Sequence, residues 1–162
     1  MLRDPKVIEH LNTQLTNELT AVNQYFLHAR MLRHWGVTRL GRHEYEESIE
    51  EMKHADALID RILFLGGHPN VQRLNQVLIG QSVREVLLCD QKLEAKAIAD
   101  LREAIAHCES VRDFVSRDLF ATILRDEEKH ADFVDTQFDL IERIGIERYT
   151  MLNSDAAPDQ DH

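Results

Sequence analysis

Three residues of this chain occur twice in one pattern. Glu18, Glu51 and His54 reappear as Glu94, Glu127 and His130, each displaced by 76 positions (94 − 18, 127 − 51, 130 − 54). In both halves a lone Glu is followed 33 residues later by a Glu-x-x-His pair. Four helices that present these six side chains inward supply the ligands of a carboxylate-bridged pair of metal ions. Few folds can hold such a set at one level, and a helical bundle is the simplest.

The rest of the chain agrees with a bundle. Three Pro and six Gly in 162 residues leave long uninterrupted stretches, and apolar residues recur at spacings of three and four rather than two. The predicted fold is all-α, one domain over residues 1–152, with a polar, acidic tail over 153–162 read as disordered. Helix A starts at Asp4-Pro5, a cap followed by proline at the first position, and runs to about Trp35-Gly36. Helix B runs from near Thr38 or Arg42 to Leu65, before Gly66-Gly67. Helix C opens at Ser82 with Glu85 three residues on, and turns near Glu109-Ser110 into helix D, which ends before Gly145. A short fifth helix spans Ile146 to Leu152. Residues 66–81 are long enough, at about 53 Å fully extended, to cross the bundle or to form a folded loop between antiparallel neighbours.

The inner lines place the repeated residues. Glu18 lies between Leu15 and Val22, Glu51 between Ser48 and Ala55, Glu94 between Leu87 and Leu101, and Glu127 between Ile123 and Val134. Each lone Glu and its partner Glu stand about equally far from the turn between their helices, roughly 25 Å at 1.5 Å per residue. His54 and His130 sit one turn beyond their glutamates on the same face. Four core carboxylates without partners would cost several kcal/mol each or take up protons, and no Lys or Arg lies on the inner lines between them. Two divalent cations balance four carboxylates. An oxygen-rich set with one imidazole per ion suits iron or manganese better than structural zinc.

Charge and cysteine content bound the partners. With 29 acidic against 19 basic residues the net charge is −10, which disfavours nucleic acid and anionic membranes and suits cations. Cys89 and Cys108 fall on one helix roughly 28 Å apart and are read as reduced thiols. Met1 to Pro5 has no apolar signal core and no stretch is of transmembrane length, so the expected location is cytoplasmic.

Several stretches resemble the bacterioferritins, within the larger ferritin-like family. They are Asn23-Gln24-Tyr25-Phe26-Leu27-His28-Ala29-Arg30-Met31, Glu51-Met52-Lys53-His54-Ala55-Asp56, Arg61-Ile62-Leu63-Phe64-Leu65 and Leu124-Arg125-Asp126-Glu127-Glu128-Lys129-His130. The similarity covers residues 1 to about 150. It implies a ferritin-like four-helix bundle with a long crossover between helices B and C and a short fifth helix, assembled as a homo-oligomer of twenty-four subunits. It implies a ferroxidase centre that oxidises Fe(II) with O2 or H2O2 and delivers Fe(III) to a mineral core, and a ferredoxin-type reductant for release. By that resemblance Glu51 and Glu127 bridge two iron ions, completed by Glu18 with His54 and by Glu94 with His130.

Met52, one step along the helix from Glu51, points away from the bundle interior. Alone it reads as interface packing. The resemblance implies instead haem b shared between two subunits, with Met52 from each as an axial ligand. Tyr25, two turns after Glu18, is close enough to donate an electron or a hydrogen bond near the centre, the alternative being a core tyrosine. Glu46 and Glu50 read as a solvated acidic face that could also attract iron. Asp56 and Asp126 are candidates to orient the histidines, and the remaining seven histidines read as surface or packing residues. The rival functions are a haem-centred electron-transfer protein with a dimetal site that does not turn over, a shell subunit co-assembling with a related one, and a manganese catalase. The lack of paired Cys-x-x-Cys motifs removes the rubredoxin module of a rubrerythrin.

Overall fold

A computed structural model describes residues 4–156. The first helix, α1 (Pro5–His34), starts where a cap and a proline meet: Asp4 Oδ1 accepts from the backbone N–H groups of Lys6 and Val7 at 2.8 and 3.1 Å. Gly36, at φ 83°, then reverses the chain into α2 (Thr38–Phe64). Ser82 opens α3 (Val83–Ser110) by accepting from the Glu85 N–H at 3.2 Å. The reciprocal bond is shifted by one residue, since Glu85 Oε2 accepts from Gln81 N at 3.3 Å. Asp113 caps α4 (Phe114–Ile144), and Gly145, at φ 82°, leads into α5 (Ile146–Leu152). No strand occurs among the described residues.

Pairwise contacts give the topology. Ser48 Oγ donates to Val22 O within the first hairpin, and Gln91 reaches Asp135 within the second. Between the hairpins, Gln24 meets Asp90, Asn17 meets Asp100 and Asp4 meets His107, so α1 and α3 are antiparallel. The same descending order, His54 with Asp126 and Arg61 with Asp113, makes α2 and α4 antiparallel. Both α2 and α3 therefore run one way, and the segment joining them must travel the length of the bundle. It does so along α1. Asn12 bonds the backbone of His68 and Asn70, Thr20 that of Asn75, Gln24 that of Leu78 and His28 that of Gly80. That path covers sixteen residues of α1, about 24 Å. The crossover is thus decided in favour of the long connection.

Two apolar clusters flank a polar band. One gathers Leu11, Leu15, Leu58, Leu101, Phe120 and Ile123 near the α3–α4 turn; the other gathers Leu32, Leu40, Val86, Leu87, Ile141 and Tyr149 at the opposite end. In α1 the core takes Val7, with Ile8 partly buried against the same cluster, and Val22 is only half-buried. The tail expected from Asn153 has an ordered beginning. Asn153 O accepts from Arg39 N at 2.9 Å, and the Asp155 carboxylate accepts from Thr38 Oγ1 and Arg42 Nη1 at 2.9 and 2.7 Å. Val37 gives α2 no side-chain cap, and the Asn153 carbonyl takes up the exposed Arg39 N–H of the first turn. Residues 157–162, the rest of that expected tail, lie outside the described residues.

Candidate metal centre

All six repeated residues meet in the polar band. Two groups of ligand atoms form there: Glu18, Glu51, His54 and Glu127, and Glu51, Glu94, Glu127 and His130, each with its atoms within 4.8 Å of one another. Glu51 and Glu127 belong to both. His54 Nδ1 lies 3.5 Å from Glu18, 3.7 Å from Glu51 and 3.3 Å from Glu127. His130 Nδ1 mirrors it, at 3.1 Å from Glu51, 3.6 Å from Glu94 and 3.5 Å from Glu127. The four glutamates are each only 1% exposed.

Close approach is not satisfaction. Glu18 Oε2, Glu51 Oε1, Glu94 Oε2, Glu127 Oε1 and both Nδ1 atoms are buried without a hydrogen-bond partner. Buried polar atoms are nearly always paired, so six that converge unpaired form a site suited to something they can all coordinate. Two divalent cations meet that need: they accept lone pairs from carboxylate oxygen and imidazole nitrogen alike, and their four charges offset four carboxylates.

Protonation reflects the same need. Burial, followed by the Glu127 charge, pushes Glu18 upward; burial with Glu18 and Glu127 pushes Glu51 well up; burial with Glu127 does the same to Glu94. For His54 and His130 burial favours the neutral form, but the adjoining carboxylates outweigh it and raise both. Burial also acts to raise Glu127, yet contacts from Glu94 and the two histidines hold it well below the usual range. The cluster on its own retains protons that a divalent cation would displace.

Outside this ring, four of the six residues are held by neighbours. Tyr25 donates its hydroxyl to Glu94 and is itself buried, its ring edge-on to His130 with centroids 6.4 Å apart. Gln14 Nε2 donates to Glu18 Oε1 at 3.0 Å. The outer nitrogen of His54 faces Asp126 at 2.8 Å, and that of His130 faces Glu50 at 2.9 Å and also Glu47. Asp126 therefore does orient a histidine, that of the other motif, while Asp56 is exposed on α2. Glu50 is not simply a solvated acid. It was findable, because Glu50 and Asp126 are related by the same displacement of 76 (126 − 50). Gln14 and Glu47 have no such signal. His28 is a packing residue of a particular kind: fully buried, it bonds Asp90 at 3.0 Å and the crossover at Gly80 N. A Cβ at Gly80 would collide with the Val86 backbone, so glycine is required for that approach.

Met52 stands outside the centre, on the outer surface of α2 and 53% exposed. Exposed Phe26 and Tyr45 pair on the α1–α2 surface, with ring centroids 6.2 Å apart and Arg30 over both. Among the described residues no helix is long and apolar enough to cross a membrane.

Comparison with known proteins matches this architecture to a family. The family model of the ferritin-like domain matches residues 8–144. A bacterioferritin of Brucella melitensis biotype 1 is 54% identical over 158 residues, 98% of this chain and 97% of its own length. One from Rhodobacter capsulatus is 48% identical with the same coverage, and one from Streptomyces coelicolor is 50% identical over 92% of this chain and 89% of its own. With a helical bundle, a long crossover and a ferritin-like match over most of its length, the chain belongs to the bacterioferritins.

Proposed function

We propose that the protein stores iron, and that the six-residue centre is a ferroxidase that oxidises Fe(II) for deposition inside a hollow shell. The observation that carries the reading is the pair of buried ligand groups sharing Glu51 and Glu127, with six convergent atoms left unpaired. Shared carboxylates hold two Fe(II) substrate ions side by side, which suits a two-electron reaction. Each ion gives one electron, and O2 takes both with two protons to become H2O2; H2O2 taking two electrons and two protons gives water. The ordinary acidity of water on Fe(III) then releases protons as the product hydrolyses to mineral. Glu18 with His54 and Glu94 with His130 complete the two halves, and Tyr25 fixes Glu94 and can release a hydrogen atom or an electron nearby. The same reading places the chain in a homo-oligomeric shell of twenty-four subunits, with a ferredoxin-type protein as reductant for release. Met52 thioethers from two subunits would hold haem b, which supplies an electron-transfer centre at their interface; an exposed Met on the outer surface of α2 fits that group.

The test is an aerobic Fe(II) titration of metal-free protein followed by near-ultraviolet absorbance. The expected result is a fast phase with a break at two Fe(II) per subunit that is lost in Glu127→Ala. No fast phase in the wild type would refute the ferroxidase and favour a haem-centred role with a dimetal site that does not turn over.

A further inference from the structure

The two halves of the centre are alike in their ligands and unlike in their surroundings. Displacement by 76 positions carries Glu18, Glu50, Glu51 and His54 onto Glu94, Asp126, Glu127 and His130. Glu50 and Asp126 are exchanged, each facing the other half's histidine, so their charges balance. The next positions do not balance. Tyr25, His28, Glu44 and Glu47 correspond to Leu101, Ala104, Phe120 and Ile123, and Asp90 corresponds to Gln14. Leu101, Ala104, Phe120 and Ile123 all belong to the apolar cluster beside the His54 half. Gln14, which holds Glu18, is neutral. Around Glu94 and His130 the same places carry three carboxyl groups.

Among the described residues none of these carboxyl groups has a Lys or Arg partner. Glu47 contacts His130 Nε2 with one oxygen and His43 Nε2 with the other, at 3.1 Å in the latter case. Asp90 Oδ1 takes Gln24 Nε2 and His28 Nδ1, while Asp90 Oδ2 and Glu44 Oε2 are left unpaired in the interior. His28 adds no charge. The Gly80 N–H can only donate, so it assigns the lone pair to His28 Nε2 and the proton to Nδ1, which makes the imidazole a neutral donor. The His130 half thus has three buried carboxyl groups in places where the His54 half has Phe120, Ile123 and Gln14, in a medium that screens charge poorly.

We propose that the two halves load in order: a divalent cation binds the His130 half first and more tightly, and Glu47 is the residue that sets the difference. This rests on the dinuclear reading above. Glu47 acts through His130, as a positioning and charge-supplying residue rather than as a ligand. Ordered loading gives each subunit a state with one cation held and a second, weaker place open beside it, so that the pair is completed only by the arrival of another cation.

The test is an anaerobic titration of the assembled, metal-free protein with Co(II), followed by visible absorbance and by equilibrium dialysis. Two steps are expected, separated by about tenfold or more in affinity. His54→Ala should keep the tight step with the absorbance spectrum of the first wild-type step, and His130→Ala should lose it. Glu47→Gln, which removes charge with little change of shape, should weaken the first step about tenfold and leave the second in place. Gel filtration establishes that each variant still assembles, and the wild-type titration stands whether or not they do. Equal steps in the wild type, a tight step that survives in His130→Ala but not in His54→Ala, or a Glu47→Gln titration identical to wild type would overturn the ordered loading. No Co(II) bound by the wild type would overturn the dinuclear reading and the order with it.

Discussion

Replacing Glu51 by Leu should stabilise the metal-free protein and abolish its response to metal. Glu51 is 1% exposed, its Oε1 has no hydrogen-bond partner, and burial together with Glu18 and Glu127 pushes its carboxyl well up. A buried polar atom left unpaired costs about 1–3 kcal/mol, and an apolar residue of similar volume removes that cost. For a chain of this size each kcal/mol moves the melting midpoint by about 2–4 °C, so the variant should melt about 2–12 °C above the wild type in chelator. Metal reverses the order. Cation at roughly 100 times its dissociation constant adds about 2.7 kcal/mol per site, or about 5 kcal/mol for two. Glu51 belongs to both ligand groups, so the variant gains little of this. Calorimetric melts of the assembled protein, in chelator and then in anaerobic Co(II), measure both terms. A variant that melts below the wild type in chelator would show that the Glu51 carboxyl is satisfied by the protein alone, and the case for a cation would fail.

Three other perturbations address different parts of the molecule. Met52→Leu should eliminate haem absorbance while leaving Fe(II) oxidation intact, and haem retained at wild-type occupancy would refute the axial assignment. Phe120→Ala opens a cavity at a fully buried position and should cost about 3–5 kcal/mol, read as a lower urea midpoint at constant slope; an unchanged midpoint would mean the cluster collapses to fill it. Asp155, held down to about 2 from the usual 3.8 by hydrogen bonds from Arg42 and then Thr38, contributes a latch that is complete above pH 3.8 and lost as pH falls towards 2. Hydrogen exchange at the Arg39 amide, which donates to Asn153 O, should therefore be faster in Asp155→Asn above pH 3.8. The two proteins should converge near pH 2, and a difference that persists there would contradict the latch.

The ligand set was legible because three separate regularities coincide in it. Glu18, Glu51, Glu94 and Glu127 share a displacement, a distance from their turns and a place on an apolar stripe, and a helix converts those one-dimensional facts into one point in space. The crossover was not legible from length, since 66–81 allowed either path. What decides it is a row of uncharged polar residues on α1, Asn12, Thr20, Gln24 and His28, four or eight apart, each bonded to crossover backbone. Such a row is suited to covering by an extended segment, whose N–H and C=O groups need partners when buried. Glu44 and Glu47 were missed for a related reason. They continue the inner line of α2 backwards from Glu51 and His54 at spacings of three and four, but they have no counterpart on α4, and a search for the repeat passes over them.

The same asymmetry bears on how the centre survives without metal. Unpaired carboxylates in a core oppose folding, so the helices must be held in place by something else. The apolar clusters do this from both sides, one around Leu58, Leu101 and Phe120 and the other around Leu40, Leu87 and Ile141. They fix the register of all four helices, and the ligand atoms remain within 4.8 Å of one another before any cation arrives. Preorganisation of this kind removes ordering cost from metal binding and places it on folding. It follows that a cavity such as Phe120→Ala should weaken cation affinity as well as stability, although Phe120 is not a ligand. It should do so most in the His54 half, where Phe120 and Ile123 stand in the places that Glu44 and Glu47 occupy on the other side.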